Sequence, residues 1–287
     1  MLEITDLTHS YGPPGDRHLA IDRITLTVGE GELVSIVGPS GCGKSTLLRC
    51  VAGLLSPAGG RVVLGGVPVD RVPDGLALVF QDYSRSLLPW LSVRDNVALP
   101  LRGGQGRKPR SRAGRQQAAI AALATVGLTD TAQKYPWQLS GGMQQRVAIA
   151  RALACDPVLL LMDEPFGSVD AQTREDLEDL ILAVRRERDI TILLVTHDID
   201  ESVYVGDRVV VLSRGPGQIR ADLPVDLPSP RDQITTRELA AFVHLRAEVG
   251  RLVRGQQAPG DQVPGDQVPG DQVRPADESR PARAPQA

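Results

Sequence analysis

A glycine-rich segment, Gly38–Ser45, fits the phosphate-loop pattern G-x-x-x-x-G-K-[ST] at each defined position. A β-branched run, Leu33–Val37, enters it and a helical pattern leaves it, so loop amides and the helix dipole would surround a phosphate. We expect Lys44 to reach the β- and γ-phosphates of a nucleotide and the Ser45 hydroxyl to ligate Mg²⁺. The pattern alone leaves kinases, GTPases and ATPases open. The predicted nucleotide-binding set here is Gly38, Pro39, Ser40, Gly41, Cys42, Gly43, Lys44, Ser45 and Thr46.

Two carboxylates follow a second apolar run. Residues 159–162 would carry the chain through a sheet and deliver Asp163 and Glu164 at its C-terminal edge, where open α/β folds bind ligands. A solvated acidic turn is a common meaning of an Asp-Glu pair, but the phosphate loop upstream favours chemistry. We expect Asp163 to hold the Mg²⁺ shell and Glu164 to polarise an attacking water. Together the two motifs predict nucleotide hydrolysis.

A third motif, Leu-Ser-Gly-Gly-Met-Gln-Gln-Arg at 139–146, lies between the loop and the carboxylates. Ser140, Gly141 and Gly142 open a predicted helix over 143–154, and they would present backbone donors and a hydroxyl to a second anion. One chain then carries two half-sites, and the economical arrangement is a head-to-tail dimer in which these residues close on the other copy's γ-phosphate. The alternative is an ordinary serine N-cap, which leaves the two glycines unexplained.

In this fixed order the motifs resemble those of the ATP-binding-cassette (ABC) family, over roughly residues 2–250. The resemblance implies an ATPase that uses ATP and Mg²⁺, with Tyr11 stacking on adenine and Gln81 contacting Mg²⁺ or the water. It also implies that Ser168 and Asp170 couple two copies and that His197 senses the γ-phosphate. The half-site at Ser140 and His197 both count against a P-loop kinase.

The elements that must position these residues alternate in type. Strand patterns cover 2–8, 24–28, 33–37, 61–64, 77–80, 159–162, 191–195 and 208–212, with helices over 45–53 and 174–189 and helical character from about 85 to 150. We expect an α/β fold: a RecA-like P-loop ATPase core with an antiparallel β subdomain and an inserted α-helical subdomain. The predicted ATPase domain is 1–254, ending in a helical extension at about 231–254.

Composition fits such a domain. Of the 287 residues, 41% are hydrophobic but only 3% aromatic, so the core must be mostly aliphatic. A net charge of −3 argues against bulk nucleic-acid binding. The three cysteines form neither an even framework nor a metal-ligand spacing, which favours a reducing cytosol. We expect no signal peptide and no membrane span.

Further segments resemble the ATPase subunits of nitrate, sulfonate and taurine importers: residues 81–101, 213–219, 230–232 and 242–246. Leu-Leu-Pro-Trp at 87–90 is apolar and follows Gln81, so we expect it to face a permease coupling helix rather than the core. The alternative is that Trp90 is buried inside the helical insert. The resemblance implies import of a small anion, although related importers also carry neutral pyrimidines and amines.

The partners implied are two transmembrane permease subunits, a second ATPase copy and, indirectly, an extracytoplasmic solute-binding protein, with the chain at the cytoplasmic face of the cell membrane. The copy could be identical or a similar ATPase. An exporter or lipid-extracting ATPase shares every catalytic motif and is opposed only by segment 81–101 and the C-terminal region. DNA-repair or ribosome-associated cassette proteins need long coiled coils or two cassettes in one chain, and this chain has neither.

Local predictions also follow for a basic stretch, for the C-terminal tail and for Cys42. Residues 102–115 carry six basic groups and no acid, which is typical of a solvated loop but could contact anionic lipid headgroups. The tail 255–287 repeats Pro-Gly-Asp-Gln-Val three times and should be disordered. Cys42 lies beside Lys44 at a helix N-terminus, so we expect a favoured thiolate whose alkylation inhibits the enzyme and which MgATP protects.

Overall fold

The computed structural model describes residues 1–13, 15–82, 86–103, 111–167 and 169–255. Three predictions fall wholly or partly outside the described residues. They concern Ser168, most of the basic stretch 102–115, and the repeat-containing tail beyond residue 255. The division of the chain into predicted domains also stays a prediction.

The described strands belong to two sheets. In chain order they are β1 (Leu2–Tyr11), β2 (His18–Val28), β3 (Leu33–Val37), β4 (Gly59–Leu64), β5 (Val67–Pro68), β6 (Leu76–Val79), β7 (Leu159–Asp163), β8 (Thr191–Thr196), β9 (Arg208–Leu212) and β10 (Ile219–Pro224). The described α-helices are α1 (Lys44–Val51), α2 (Val93–Ala98), α3 (Arg112–Thr125), α4 (Gly141–Leu153), α5 (Ala171–Arg188), α6 (Ile199–Val205), α7 (Thr235–Glu238) and α8 (Ala240–Arg254).

The larger sheet has the strand order β10-β9-β3-β8-β7-β6. All its pairings are parallel except that of β10 with β9. The smaller sheet has the order β2-β1-β4-β5 and is antiparallel. Because the carboxyl ends of parallel strands meet at one edge, the residues after β3, β6, β7 and β8 are brought to a common place.

Alternate residues of the central strands serve two hydrophobic cores. In β7, Leu159 and Leu161 pack with α1 and the antiparallel sheet, whereas Leu160 and Met162 pack with residues of the helical region and of α5. Every residue of β7 is buried, as expected of a parallel strand covered on both faces. The central sheet is therefore packed on both faces, which fixes the position of Asp163 at the end of β7.

Helices α2, α3 and α4 pack against one another between β6 and β7 in the chain. Three short 3₁₀ segments connect them, at Pro100–Gly103, Thr129–Thr131 and Pro136–Gln138. This is the region in which the sequence predicts a helical insert. The α/β prediction is therefore confirmed.

The C-terminal helices return to the core. Helix α8 packs on α6 and β9, with Phe242 buried at 1% exposure. No helix in the described ranges is both long and apolar enough to cross a bilayer. Three elements were not predicted: β5, which has only two residues, α6, which is too short to show a helical period, and β10, whose side chains alternate between half-buried and exposed at the sheet edge.

Candidate nucleotide site

The phosphate loop occupies the turn between β3 and α1. Gly43 caps the helix with a φ of 92°, and a Cβ there would lie 2.6 Å from the carbonyl oxygen of Ala20, so only glycine fits. The ammonium of Lys44 donates to the carbonyl oxygens of Gly38 at 2.8 Å and of Pro39 at 3.1 Å. The Lys44 side chain therefore lies over its own loop, where its ammonium group could contact a bound phosphate.

The Mg²⁺ residues predicted from sequence lie together. The hydroxyl of Ser45 donates to Oδ1 of Asp163 at 3.1 Å, across the loop between α1 and the end of β7. Burial raises the pKa of Asp163, and the hydrogen bond from Ser45 opposes that rise. A hydroxyl and a carboxylate side by side are hard oxygen ligands, which suit Mg²⁺ bound through one or two protein groups and nucleotide phosphates.

Gln81, Glu164 and His197, which the sequence predicts to act together, lie side by side. Glu164 follows Asp163 and has a φ of 45°. Gln81, just beyond β6, donates from Nε2 to Oε2 of Glu164 at 2.8 Å. Nδ1 of His197, just beyond β8, lies 3.1 Å from the same oxygen. The side chain of Glu164 is 18% exposed and that of His197 is 61% exposed, so the group opens toward solvent. Oε1 of Gln81 is the atom that could ligate a cation.

Tyr11 reaches the same loop from the antiparallel sheet. Its hydroxyl and Oγ1 of Thr46 are hydrogen-bonded at 3.1 Å, and its ring meets the His9 ring edge-on at 4.8 Å between centroids. The tyrosine remains 40% exposed. An exposed aromatic face fixed beside the phosphate loop is suited to stacking on a nucleotide base.

The Ser140 motif forms a helix N-terminus of its own. Ser140 accepts from the amide of Met143 at 3.3 Å, so it does cap α4 as the alternative interpretation holds. Gly142 is also explained by packing, because a Cβ there would lie 2.3 Å from Cγ2 of Thr173 on α5. The motif therefore has a local role, and the predicted second anion site needs evidence beyond the two glycines.

The expected reactive thiolate at Cys42 is wrong. Cys42 is 1% exposed, and burial raises the pKa of its thiol more strongly than the charge of Lys44 lowers it. The sequence placed the cysteine correctly at the helix start but could not show that its side chain points into the core. Cys50 and Cys155 are also buried and free.

The prediction for residues 87–90 is partly wrong. Trp90 is 70% exposed, so the alternative that buried it inside the insert fails. Leu87, in contrast, is 2% exposed and belongs to the core. Only the end of this apolar segment is available to a partner.

Two positioning residues carried no sequence signal of their own. Arg151 of α4 donates from Nη2 to Oγ of Ser86 at 2.8 Å and from Nη1 to its carbonyl oxygen at 2.5 Å, which ties the helical insert to the segment after Gln81. Arg174 of α5 donates to Oδ2 of Asp198 at 3.1 Å, next to His197. Each arginine contacts a residue that is distant in the chain, so no local sequence pattern predicts the contact.

Two buried glutamates lie on the neighbouring helices α5 and α6. Glu201 on α6 is 3% exposed and Glu178 on α5 is 1% exposed. Glu178 accepts from Nη2 of Arg237 at 2.8 Å, whereas Oε1 of Glu201 lacks a hydrogen-bond partner among the described residues. Burial raises the pKa of Glu201 well above its ordinary value, and the charges of Glu178 and Asp198 raise it further.

Comparisons with known proteins identify the family of this chain. A family model described as "ABC transporter" matches residues 21–167. The chain is 42% identical over 243 residues to the nitrate import ATP-binding protein NrtD of Synechococcus elongatus, spanning 83% of this chain and 86% of NrtD. It is 44% identical over 236 residues to the bicarbonate transport ATP-binding protein CmpC of that species, spanning 82% of this chain but 35% of CmpC.

A solved structure gives the same fold. The ATP-binding cassette MJ0796, in a dimeric post-hydrolysis state bound to ADP and Pi, superposes with a TM-score of 0.69 at 34% identity. The match spans 78% of this chain and 99% of that one. This confirms the predicted RecA-like cassette fold. The chain therefore belongs to the ABC transporter family and is one of its ATP-hydrolysing ATPases.

Proposed function

We propose that this chain is the ATPase subunit of an importer that drives uptake of a small solute through separate permease subunits. The solute is an anion of the nitrate, sulfonate or taurine type, and a solute-binding protein outside the membrane delivers it. The similarity to NrtD and CmpC, which are named as nitrate import and bicarbonate transport proteins, supports an importer for a small anion. The chain would then act at the cytoplasmic face of the cell membrane, held there by its permease.

The residues of the site have different proposed roles in binding and hydrolysis. Lys44 and the loop amides bind the β- and γ-phosphates, and Tyr11 stacks on the adenine. Glu164 orients and polarises the attacking water, while Gln81 and His197 hold its carboxylate by contacting the same oxygen, Oε2. Ser45, Asp163 and Gln81 would hold Mg²⁺, which supplies neutralising charge beside the phosphates when bound.

The second half-site is assigned to a partner copy. Ser140 and Gly141 are both exposed at the N-terminus of α4, so this helix end is accessible to a partner. In a head-to-tail dimer these groups would close on the γ-phosphate held by the other copy. The dimeric state of the MJ0796 cassette supports this arrangement.

An apolar groove beside Gln81 is the structural feature that best supports docking on a permease. It has a volume of about 200 Å³ and is lined by residues of both the core and the helical insert, including Leu54, Leu76, Phe80 and Pro100. Leu54 is 48% exposed and Phe80, the residue before Gln81, is 44% exposed. Arg151 lines the same groove while it holds Ser86. A coupling helix seated here would contact the segment that reaches Glu164, so docking and hydrolysis would be linked.

Affinity purification from native membranes tests the assignment. Tagged Glu164→Gln protein is solubilised with ATP, and co-purifying proteins are identified by mass spectrometry. We expect a permease subunit encoded beside a solute-binding protein, and that binding protein's ligand then names the solute. Exporter-type membrane subunits, or soluble partners alone, would overturn the importer assignment while leaving the ATPase chemistry intact.

A pair of surface variants tests whether Trp90, which is not among the described lining residues of the groove, also belongs to the docking surface. Trp90→Ala in the tagged protein should lose the membrane subunits without a change in melting temperature, because Trp90 is 70% exposed. Ile234→Ala is the matched control, since Ile234 is 69% exposed but lies before α7. If Trp90→Ala keeps its membrane partners, or if it unfolds the chain, the tryptophan is not part of the docking site.

A further inference from the structure

Four arginines from three neighbouring elements line one cavity of the helical insert. They are Arg94 on α2, Arg102 on the Pro100–Gly103 turn, and Arg112 and Arg115 on α3. The cavity has a volume of about 390 Å³, and buried Ala98 forms part of its wall. The cavity opens to solvent, because Arg102 and Arg112 are both exposed.

The charges around this cavity, which we name the arginine cavity, do not balance. Asp95 is the acidic residue of its lining, and it pairs with Nε of Arg94 at 3.8 Å. Arg102 and Arg112 are exposed and form no ion pair with any residue in the described ranges. Arg102 and Arg112 therefore bring two guanidinium charges to the cavity that no described carboxylate neutralises.

Helix α3 adds to the same field. Its 14 residues begin at Arg112, Ser111 caps it by accepting from the amide of Gly114 at 3.0 Å, and its first turn contains no acid. The positive end of the helix dipole thus lies at the cavity beside two of the arginines. Like charges that line one cavity repel one another, and a bound anion would relieve that repulsion.

We propose that the arginine cavity binds a phosphate-bearing anion. Guanidinium groups are planar, permanently charged and matched to phosphate oxygens, with which they form paired hydrogen bonds. The lining residues that the structure describes are distinct from those of the phosphate loop, of the Ser140 half-site and of the groove beside Gln81. It is a second phosphate site on the element that we expect to transmit motion to the permease.

Two sources present this chemistry. One is the headgroup phosphate of an anionic lipid, which a membrane-attached helical insert could reach. The other is a soluble phosphate compound. Both would contact the same four side chains, and the experiment separates them by offering each alone.

Binding is measured on the full chain saturated with MgADP, so that the phosphate loop is filled. Titration calorimetry with inorganic pyrophosphate probes the soluble source. Sedimentation with phosphatidylglycerol vesicles, compared with phosphatidylcholine vesicles, probes the lipid source. The test variant is Arg102→Gln/Arg112→Gln. The control is Arg23→Gln/Arg61→Gln, which removes the same charge from exposed positions on the antiparallel sheet.

We expect the test variant to weaken at least one interaction by about tenfold or more, since each lost pair removes a charge-assisted hydrogen bond. The control should stay within about twofold of the unaltered chain. Loss confined to pyrophosphate assigns a soluble ligand, and loss confined to the anionic vesicles assigns a lipid.

Three results would overturn the proposal. The first is that neither probe binds. The second is equal loss in the test and control variants, which would mean that net charge alone attracts the anion. The third is that neither probe responds to the variant while purified permease subunits bind it more weakly, in which case the cavity receives an acidic protein segment. Equal melting temperatures of the two variants show that the comparison concerns folded protein.

Discussion

Oε2 of Glu164 lies 2.8 Å from Nε2 of Gln81 and 3.1 Å from Nδ1 of His197, so one carboxylate oxygen joins the ends of three parallel strands. Gln81 follows β6, Glu164 follows β7 and His197 follows β8. A shift of either outer strand end would therefore move the carboxylate that we assign to the attacking water. The residue to which we assign the chemistry is thus also in direct contact with Gln81, which precedes the helical insert.

Replacement of His197 by Ala should slow ATP hydrolysis by about 10- to 1,000-fold, because a donor aimed at the reacting groups is lost. Nucleotide affinity should change little, since Lys44 and the loop amides remain. Phosphate release and nucleotide titration on the same samples measure the two effects. His244→Ala, at an exposed position on α8, is the control. A His197 variant that hydrolyses ATP within twofold of this control would show that His197 has no such role.

The role of Ser140 can be separated from its role as a helix cap. Aspartate caps helices as well as serine does, so Ser140→Asp should keep the melting temperature. Its charge would oppose the γ-phosphate held by the other copy, and hydrolysis should fall by about 100-fold or more. Unchanged hydrolysis in this variant would leave Ser140 as a cap alone.

Mixing gives a second readout of the same half-site. Lys44→Ala and Ser140→Asp chains should each be inactive, but a mixed dimer contains one site with both an intact Lys44 and an intact Ser140. We expect the mixture to recover part of the hydrolysis that neither variant shows alone. The recovery should depend on the ratio of the two chains.

The thiol of Cys42 should react slowly in the native chain. Its pKa is raised by burial, and a thiol that is both protonated and enclosed is a poor nucleophile. Iodoacetamide at neutral pH should therefore modify the folded chain far more slowly than the unfolded chain, followed by mass spectrometry. Rapid modification of Cys42 that MgATP prevents would contradict the buried position.

Glu201 should make stability depend on pH. Its folded pKa is raised well above that of an unfolded glutamate, about 4.3. The unfolded chain therefore releases this proton first as pH rises, and Glu201 costs stability above that value. We expect Glu201→Gln to raise the melting temperature more at pH 8 than at pH 5. Glu3→Gln, at an exposed site, should show no such difference, and equal shifts for Glu201→Gln at both pH values would contradict the prediction.

The phosphate loop and the carboxylates could be predicted because each is a local pattern. β3 and β9 have the predicted bounds, and β7 and β8 extend one residue further than predicted. Strand β6 begins and ends one residue earlier, which leaves Phe80 outside the sheet and exposed in the groove. Apolar runs locate buried strands well, but they do not show at which residue a strand leaves the sheet.

The features that could not be predicted from the sequence depend on contacts between distant residues. Arg151 with Ser86, and Arg174 with Asp198, join positions 65 and 24 residues apart. The direction of the Cys42 side chain depends on packing around α1, and the arginine cavity requires α2 and α3 to be placed side by side. In each case residue type was visible in the sequence, but the partner was not.

The central claim, that Glu164 activates the water that cleaves ATP, is tested most directly by Glu164→Gln. The amide keeps the size of the side chain but cannot polarise a water as a carboxylate does. Steady-state phosphate release and ATP occupancy should be measured together, with Glu187→Gln as the exposed control. We predict full occupancy by ATP with hydrolysis reduced by about 100-fold or more. Hydrolysis near that of the control would contradict the assignment of Glu164 and the function built on it.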